Sequence, residues 1–239
     1  MNEKGILFKL VVGAYGCNCY IVGSKKEKKI FIIDPGAEPE KLINHINKHN
    51  LDPKAIILTH AHPDHAAGAR RLQRHYKIPL WFNQKDYKKL IFKKADRWLK
   101  EGDILETGEI KYYILETGGH SPGGISIYTH DIHIFREKMY DGIIFTGDLI
   151  FRRSKGRTDL NLGNEDLLFK NIKNKIMYHP KLSENFLILA GHMGITTIKE
   201  EKQLNPFGKF FLSKKDWKNN YYYGKKLKTI FQLPAKDRK

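Results

Sequence analysis

Three histidines and an aspartate fall within six positions of the segment I-L-T-H-A-H-P-D-H-A-A-G, residues 57–68. Imidazole and carboxylate groups together suit Zn²⁺, Fe²⁺ or Mn²⁺, and the segment contains no cysteine that would favour a closed structural zinc site. An apolar run, A-I-I-L-T, leads into the histidines, and Pro63 favours the start of a helix after them. His60, His62, Asp64 and His65 therefore predict an open catalytic metal site between a strand and a helix. A solvated polar loop is the alternative.

Three more ligand-type residues stand singly beside glycines in later segments. His120 lies in T-G-G-H-S-P-G-G, Asp148 in F-T-G-D-L-I-F and His192 in L-A-G-H-M-G. Glycine allows the backbone to approach closely around a buried ion. Seven ionisable side chains would be costly to gather without a metal that neutralises their repulsion, so a purely structural or binding role is disfavoured.

Strand and helix patterns place these residues at the ends of buried elements. The runs G-I-L-F-K-L-V-V, C-N-C-Y-I-V-G and K-I-F-I-I-D-P-G predict antiparallel strands joined by tight turns. A helix is predicted in E-P-E-K-L-I-N-H-I-N-K-H, with Leu42, Ile43 and Ile46 on one face, and further helices over about 64–76 and 165–177. Strands mixed with helices in both halves of the chain indicate a layered α/β arrangement.

The four motifs H-A-H-P-D-H, G-H-S-P-G, T-G-D and A-G-H, in this order, resemble those of the metallo-β-lactamase-fold hydrolases. The resemblance covers about residues 5–208 and implies an α/β fold, a four-layer αββα sandwich. The stretches F-T-G-D-L-I-F-R-R-S-K-G-R-T-D-L-N-L-G-N and G-H-M-G-I-T-T-I-K-E-E-K-Q-L-N-P-F are similar to the compact glyoxalase-II-like branch. Its members are relatives of hydroxyacylglutathione hydrolase.

The resemblance implies a metal site with two divalent ions. It assigns His60, His62 and His120 to one ion, Asp64, His65 and His192 to the other, and Asp148 to both. Zinc is the expected metal, with iron and manganese as alternatives. A hydroxide that bridges the ions would attack a thioester carbonyl, as in S-D-lactoylglutathione or a related acyl-thiol, and Asp64 would orient it.

Two residues outside the motifs are assigned supporting roles. Asp34, in I-I-D-P-G, is a candidate to accept a hydrogen bond from a ligand histidine, with a simple Asp-Pro-Gly turn as the alternative. Arg157, in G-R-T-D, matches a basic position that binds the glutathione moiety in larger relatives. Asp159 stands where those relatives carry tyrosine, and a salt bridge that fixes the loop is expected for it. Cys17 and Cys19 are expected to pack in the interior.

The composition of 239 residues with 41% hydrophobic content is that of a globular protein, but the net charge is +17. Residues 1–208 are expected to form the hydrolase domain and residues 209–239 a basic, aromatic-rich C-terminal tail. That tail carries ten Lys or Arg and two Asp, a net charge of +8. No run approaches the roughly 18 to 20 apolar residues that cross a bilayer, so a cytoplasmic protein without a membrane span is expected.

Two alternative functions remain open in the sequence. A persulfide dioxygenase, a sibling branch, holds one iron and could retain unused ligands. A metal-dependent nuclease or nucleic-acid-binding protein is suggested by the positive charge, but the chain lacks room for the large inserted domain of the RNA-processing branch. A small-molecule thioester is the expected partner; nucleic acid is not favoured, and no obligate protein partner is evident.

Overall fold

Two six-stranded sheets pack face to face and carry helices on their outer surfaces. The computed structural model describes residues 4–87, 94–160 and 162–225. The first sheet has the strand order β1 (Gly5–Val12), β2 (Cys17–Ser24), β3 (Lys29–Ile33), β4 (Asp52–Ile57), β5 (Leu80–Phe82) and β6 (Arg97–Trp98). Strands β1 to β3 are antiparallel, as the sequence predicted, whereas β3 to β6 run parallel. Helical segments connect β3 to β4 and β4 to β5, as parallel neighbours require.

The second sheet is mostly antiparallel. In chain order its strands are β7 (Ile104–Thr107), β8 (Ile110–Glu116), β9 (Ile125–Thr129), β12 (Ile143–Gly147), β15 (Leu187–Ala190) and β16 (Thr196–Thr197). The only parallel pair in this sheet is β12 with β15. Two small hairpins lie outside the sheets, β10 (Ile134–Phe135) with β11 (Lys138–Met139), and β13 (Ile150–Phe151) with β14 (Ser154–Lys155).

Short helices cover both outer faces. They are α1 (Pro39–Lys48), α2 (Pro63–Ala66), α3 (Ala69–Tyr76), α4 (Glu165–Asn171), α5 (Ile198–Leu204), α6 (Gly208–Phe211) and α7 (Lys214–Lys218). A 3₁₀ turn covers Gln84–Asp86, and a π-helical segment, Ile172–Met177, continues α4. The predicted apolar face of α1 is confirmed, because Leu42, Ile43 and Ile46 are all buried.

Three buried apolar layers separate four layers of structure. The first layer lies between α1, α3 and the first sheet, the second between the two sheets, and the third between the second sheet and α4 to α6. Strand β2 serves two of them, since Cys19 and Ile21 face the helices while Tyr20 and Val22 face the other sheet. The predicted four-layer αββα sandwich is therefore confirmed.

The prediction of one helix over 64–76 is wrong in one respect, because two helices occupy this stretch. The helix is interrupted between α2 and α3 near Gly68, whose amide donates a 2.9 Å hydrogen bond to the carbonyl of Pro35. A Cβ at this position would lie 2.5 Å from that carbonyl oxygen. The break therefore lets the ligand-bearing α2 sit tightly on the loop that contains Asp34.

The C-terminal region folds onto the second sheet as far as it is described. Helix α6 buries Phe211 in the third apolar layer, together with Leu212. Residues 226–239 of the predicted tail lie outside the described residues, and the boundary at residue 208 remains a prediction. Cys17 and Cys19 are both free and buried. None of the helices within the described ranges combines the length and apolar character needed to cross a bilayer.

Candidate metal centre

The seven predicted ligands meet at one edge of the two sheets. His60, His62, Asp64 and His65 follow β4 in the first sheet, while His120 follows β8, Asp148 follows β12 and His192 follows β15 in the second. Carboxyl ends of parallel strands share one edge of a sheet, and the face-to-face packing brings the two edges together. Residues 132 positions apart in sequence thus become neighbours.

Within the described residues, the possible metal-binding groups overlap in the same small volume. In each group the ligand atoms lie within 4.8 Å of one another, and the groups are His60, His62 and His120; His60, His65 and Asp148; Asp64, His65 and His192. We call the first group the β8-side trio and the third group the β15-side trio. Together with Asp148 they contain all seven predicted ligands.

Asp148 lies between the two trios. Its Oδ2 is 3.5 Å from Nε2 of His120 and 3.6 Å from Nε2 of His192, and its Oδ1 is 3.4 Å from Nε2 of His65. Within the trios, Nε2 of His120 is 2.9 Å from Nδ1 of His62, and Nε2 of His65 is 3.2 Å from Nε2 of His192. Nitrogen lone pairs and carboxylate oxygens therefore point into a shared space.

In four of the predicted ligand histidines, the ring nitrogen that faces away from the shared space is held by an oxygen atom. Nδ1 of His120 donates to the carbonyl of Arg157 at 2.7 Å, and Nδ1 of His192 donates to the carbonyl of Tyr15 at 3.1 Å. Nδ1 of His65 donates to Asp34 at 3.0 Å, and that of His60 lies 3.2 Å from the hydroxyl of Thr59. Because each outward nitrogen donates its proton to an oxygen, Nε2 is the atom that faces the shared space and can bind a metal ion once it is unprotonated.

Asp34 organises the carboxyl end of β4. One carboxylate oxygen accepts the amide of Thr59 at 2.7 Å, and the other accepts the Thr59 hydroxyl at 2.6 Å as well as His65. Asp34 is almost fully buried. The residue thus holds the His65 ring and the start of the ligand loop with one side chain.

Two buried polar atoms lack a hydrogen-bond partner among the described residues of this site. They are Nε2 of His60 and Oδ1 of Asp148. An unsatisfied buried polar atom is costly, and a divalent cation coordinated at this point would satisfy both. The nitrogen and oxygen donor set also suits zinc, iron or manganese, so the residues fit the metals that the sequence predicts.

Comparison with known proteins identifies the family of the chain. The sequence model of the family described as "Metallo-beta-lactamase superfamily" matches residues 12–192. The chain belongs to the metallo-β-lactamase superfamily. Hydroxyacylglutathione hydrolase GloC from Haemophilus influenzae is 35% identical over 215 residues, which cover 82% of this chain and 94% of that protein.

Two solved structures are similar to this chain in both fold and sequence. The BLEG-1 B3 metallo-β-lactamase has a TM-score of 0.74 and 30% identity, covering 85% of this chain and 99% of its own. TTHA1623 in a di-iron-bound form has a TM-score of 0.70 and 31% identity, covering 84% of this chain and 99% of its own. The fold is therefore shared with a protein described as a B3 metallo-β-lactamase and with a protein solved in a di-iron-bound form.

The histidines of the candidate metal centre fall into two groups according to the direction in which their pKa is shifted. Burial, reinforced by the charges of His65 and His120, holds the pKa of His60 well below 6.5. Burial lowers the pKa of His65 too, but the carboxylates of Asp148 and Asp34 outweigh it and raise that pKa well above 6.5. For His192, burial is outweighed by the hydrogen bond to Asp64 and the charge of Asp148, so its pKa is raised.

The acidic groups are held ionised by these imidazoles. Burial raises the pKa of Asp64, but the hydrogen bond from His192 and the charge of His65 outweigh it and lower the pKa to about 2. Burial also raises the pKa of Asp148, and the charges of His65 and its other imidazole neighbours bring it below 3.8. In the metal-free protein, His65 and His192 thus act as the cations that balance the carboxylates.

A cavity of about 770 Å³ opens over the ligands. Its walls include the apolar side chains of Tyr15, Phe151, Leu160 and Met193, and its floor includes His62, Asp64, His120, Asp148 and His192. The Met193 side chain is half exposed at the mouth of this cavity. An apolar group and a polar reacting centre can therefore be held together here.

Arg157 also borders the cavity, but its guanidinium is engaged by Asp159. Nε and Nη2 of Arg157 each donate to one oxygen of that carboxylate at 2.8 Å. The expected salt bridge of Asp159 is thus present, and both side chains are mostly exposed, at 61% and 70%. The Arg157 backbone carbonyl, rather than its side chain, contacts a predicted ligand.

Four residues that shape the site were not predicted from the sequence. Thr59, the carbonyl of Tyr15, Asn18 and Asp86 contact ligand residues or the loops that carry them. Asp86 alone had a weak signal, because N-Q-K-D follows an apolar strand run as the ligands do. The other three contacts depend on which loops meet in space.

Proposed function

We propose that this chain is a dinuclear metal-dependent hydrolase of thioesters, with an S-acyl thiol such as S-D-lactoylglutathione as substrate. The observation that carries the proposal is the pair of trios around Asp148 at the floor of an apolar-walled cavity. The relationship to GloC, named a hydroxyacylglutathione hydrolase, supports this substrate class. We assign the β8-side trio to one ion, the β15-side trio to the other, and Asp148 to both.

Two bound divalent ions would supply an acidified water as nucleophile and a Lewis acid for the carbonyl oxygen. The chain's own side chains orient the reactants. Asp64 lies at the cavity floor, with its Oδ2 3.2 Å from Nε2 of His192, and its low pKa keeps it ionised at neutral pH. We assign Asp64 the role of accepting a hydrogen bond from the attacking water in addition to its role as a ligand.

The remaining groups of the site match the needs of a thioester. A thiolate leaving group has a conjugate-acid pKa of about 8.5, so it departs without a strong general acid. Tyr15, Phe151 and Leu160 give the acyl group and the thiol carrier an apolar wall on which to pack. Neither Cys17 nor Cys19 lines this cavity, so the proposal requires no cysteine nucleophile.

The test is hydrolysis of S-D-lactoylglutathione by protein loaded with Zn²⁺, and in parallel with Fe²⁺ or Mn²⁺. We expect turnover that Asp148→Asn reduces by at least about 100-fold, since the shared ligand is lost. Glu106→Gln, at an exposed acid on β7, is the control and should retain the rate. Metal-replete protein that does not hydrolyse any of a panel of acyl-thiols would rule the proposal out.

A second candidate function, that of a persulfide dioxygenase, would require iron. Iron is a reasonable metal to test, because a relative of 31% identity is described in a di-iron-bound form. A mono-iron persulfide dioxygenase would consume oxygen with glutathione persulfide and would need one ion per chain. We expect no oxygen uptake by the iron-loaded protein. Oxygen uptake that saturates at one equivalent of iron would replace the thioesterase assignment with the dioxygenase. A cytoplasmic location remains part of the proposal.

A further inference from the structure

A buried aspartate outside the predicted ligand set lies behind the β8-side trio. Asp86 ends the 3₁₀ turn that follows β5, and its side chain is fully buried, at 0% exposure. Its carboxylate accepts three hydrogen bonds. Oδ2 accepts the amide of Ala61 at 3.0 Å and the hydroxyl of Ser121 at 3.1 Å, while Oδ1 accepts the amide of Gly123 at 2.5 Å.

The three donors belong to loops from different sheets. Ala61 lies between His60 and His62 in the loop after β4 of the first sheet. Ser121 directly follows His120 in the loop between β8 and β9 of the second sheet, and Gly123 lies two residues further on. One carboxylate therefore joins the chain segments that supply all three members of the β8-side trio.

We propose that Asp86 is a positioning residue that sets the separation of His62 and His120, and thereby the affinity of the β8-side trio for its metal ion. The inference rests on the metal-binding part of the proposed function and not on the substrate. A backbone hydrogen bond from Ile125 to the carbonyl of Thr59, at 2.8 Å, joins the same two loops near His60. Asp86 joins them on the side of His62 and His120, whose nitrogens are 2.9 Å apart.

The geometry requires a carboxylate at this position. All three neighbouring groups donate hydrogen bonds to the carboxylate. In Asp86→Asn, the side-chain NH₂ group would face either the Gly123 N–H or the Ser121 hydroxyl and the Ala61 N–H, so that one donor would meet another. The packing leaves little room to adjust, because a Cβ at Gly123 would lie 2.7 Å from the Asp86 carboxylate. Asp86→Asn should therefore separate the loops instead of forming a substitute set of hydrogen bonds.

A different contact joins the sheets at the β15-side trio. The Asn18 side chain, on β2, donates to the carbonyls of Ala190 at 2.9 Å and Met193 at 3.1 Å, on either side of His192. Each trio thus has its own inter-sheet contact. Substitutions at Asp86 and Asn18 should consequently affect different metal ions.

The test is a Zn²⁺ titration of the metal-free full chain carrying Asp86→Asn, in competition with a chromophoric chelator. Histidine ¹⁵N chemical shifts identify which imidazoles each equivalent binds. We expect one equivalent to weaken by about 10- to 100-fold, as for other groups that orient metal ligands, and His60, His62 and His120 to report that loss. Amide hydrogen exchange at Ala61 and Gly123 should also accelerate in the metal-free variant.

Three further variants make the result specific. Ser121→Ala removes one donor and leaves the carboxylate, so it should weaken the same equivalent by a smaller factor; it decides the matter if Asp86→Asn does not fold. Asn18→Ala should weaken the other equivalent. Glu201→Gln is the matched control, because Glu201 is also fully buried and accepts from the Arg153 amide, Thr196 and Asn205. It should lower the melting temperature and leave both equivalents unchanged.

The proposal is overturned if Asp86→Asn and Ser121→Ala bind both equivalents as the unaltered protein does, or weaken both equivalents alike. Its failure is distinguishable from failure of the proposed function. A protein with two normal zinc equivalents but no thioester turnover contradicts the substrate assignment and leaves the role of Asp86 intact. Normal thioester turnover, together with unaltered zinc affinity in Asp86→Asn, contradicts the role of Asp86 and leaves the substrate assignment intact.

Discussion

At the scale of single residues, the site is a balance between imidazoles and carboxylates. In the metal-free protein, the carboxylates of Asp148 and Asp34 keep both ring nitrogens of His65 protonated, so His65 is a cation. Burial keeps His60 neutral. A metal ion must displace the His65 proton to bind its Nε2. We therefore expect the same residue to stabilise the metal-free fold as a cation and, under the proposed assignment, the metal-bound fold as a ligand.

The pH dependence of stability follows from these opposite shifts. A raised folded pKa for His65 and His192 adds stability that is complete below pH 6.5 and is lost as the pH rises through the folded values. The lowered pKa values of His60 and His62 add stability above pH 6.5 that is lost on acidification. Metal-free protein should thus melt at its highest temperature near pH 6.5.

Melting temperatures of chelator-treated protein from pH 5 to pH 9 check this expectation. Zinc-loaded protein is the control, and its melting temperature should not fall between pH 6.5 and pH 8.5, because the metal has replaced the His65 proton. A melting temperature of the metal-free protein that rises steadily across that interval would contradict the assigned protonation of His65.

The Arg157 and Asp159 pair gives a second prediction at this scale. Asp159 compensates the charge of a cation that borders the cavity. Asp159→Asn should therefore lower KM for the thioester of the anionic carrier glutathione by a few fold, a modest factor because the exposed pair is screened by solvent. KM for a neutral N-acetylcysteamine thioester should not change, and an equal change for both substrates would refute the electrostatic explanation.

At the scale of elements, the site depends on how strands end. Four motifs could be assigned from sequence because each combines a ligand type with the end of an apolar run, and β4, β8, β12 and β15 do end there. The break at Gly68 and the contacts of Asp86 and Asn18 could not be foreseen. They arise from which loops approach each other, and local periodicity carries no information on that.

Gly191, at the end of β15, shows how closely a strand end approaches the ligands. A Cβ there would lie 2.3 Å from Oδ1 of Asp148 and 2.5 Å from Cε1 of His65. Gly191→Ala should displace Asp148 and reduce zinc binding below one equivalent per chain. Gly194→Ala is the matched control, because its Cβ would meet only the flexible Arg152 side chain, at 3.3 Å. Equal zinc contents in the two variants would count against the close approach as the cause.

At the scale of the whole molecule, the metal ions would join two sheets that otherwise meet through apolar packing and a few hydrogen bonds between loops. Each trio draws ligands from both sheets, so binding free energy adds directly to folding free energy. A ligand at 100 times its Kd contributes about 2.7 kcal/mol. The net charge of +17 suggested nucleic-acid binding in the sequence, but charge alone does not identify a partner. The apolar walls of the cavity are better suited to the small acyl-thiol that we propose as substrate.

In the proposed mechanism, two metal ions act together on a thioester. The most direct measurement is the rate of S-D-lactoylglutathione hydrolysis as Zn²⁺ is added stepwise to metal-free protein. We predict a rate that increases until two equivalents per chain are bound, with little activity at low occupancy of the second site. A rate that reaches its maximum at one bound equivalent of zinc, or that is still zero at two, would contradict the proposed two-metal mechanism.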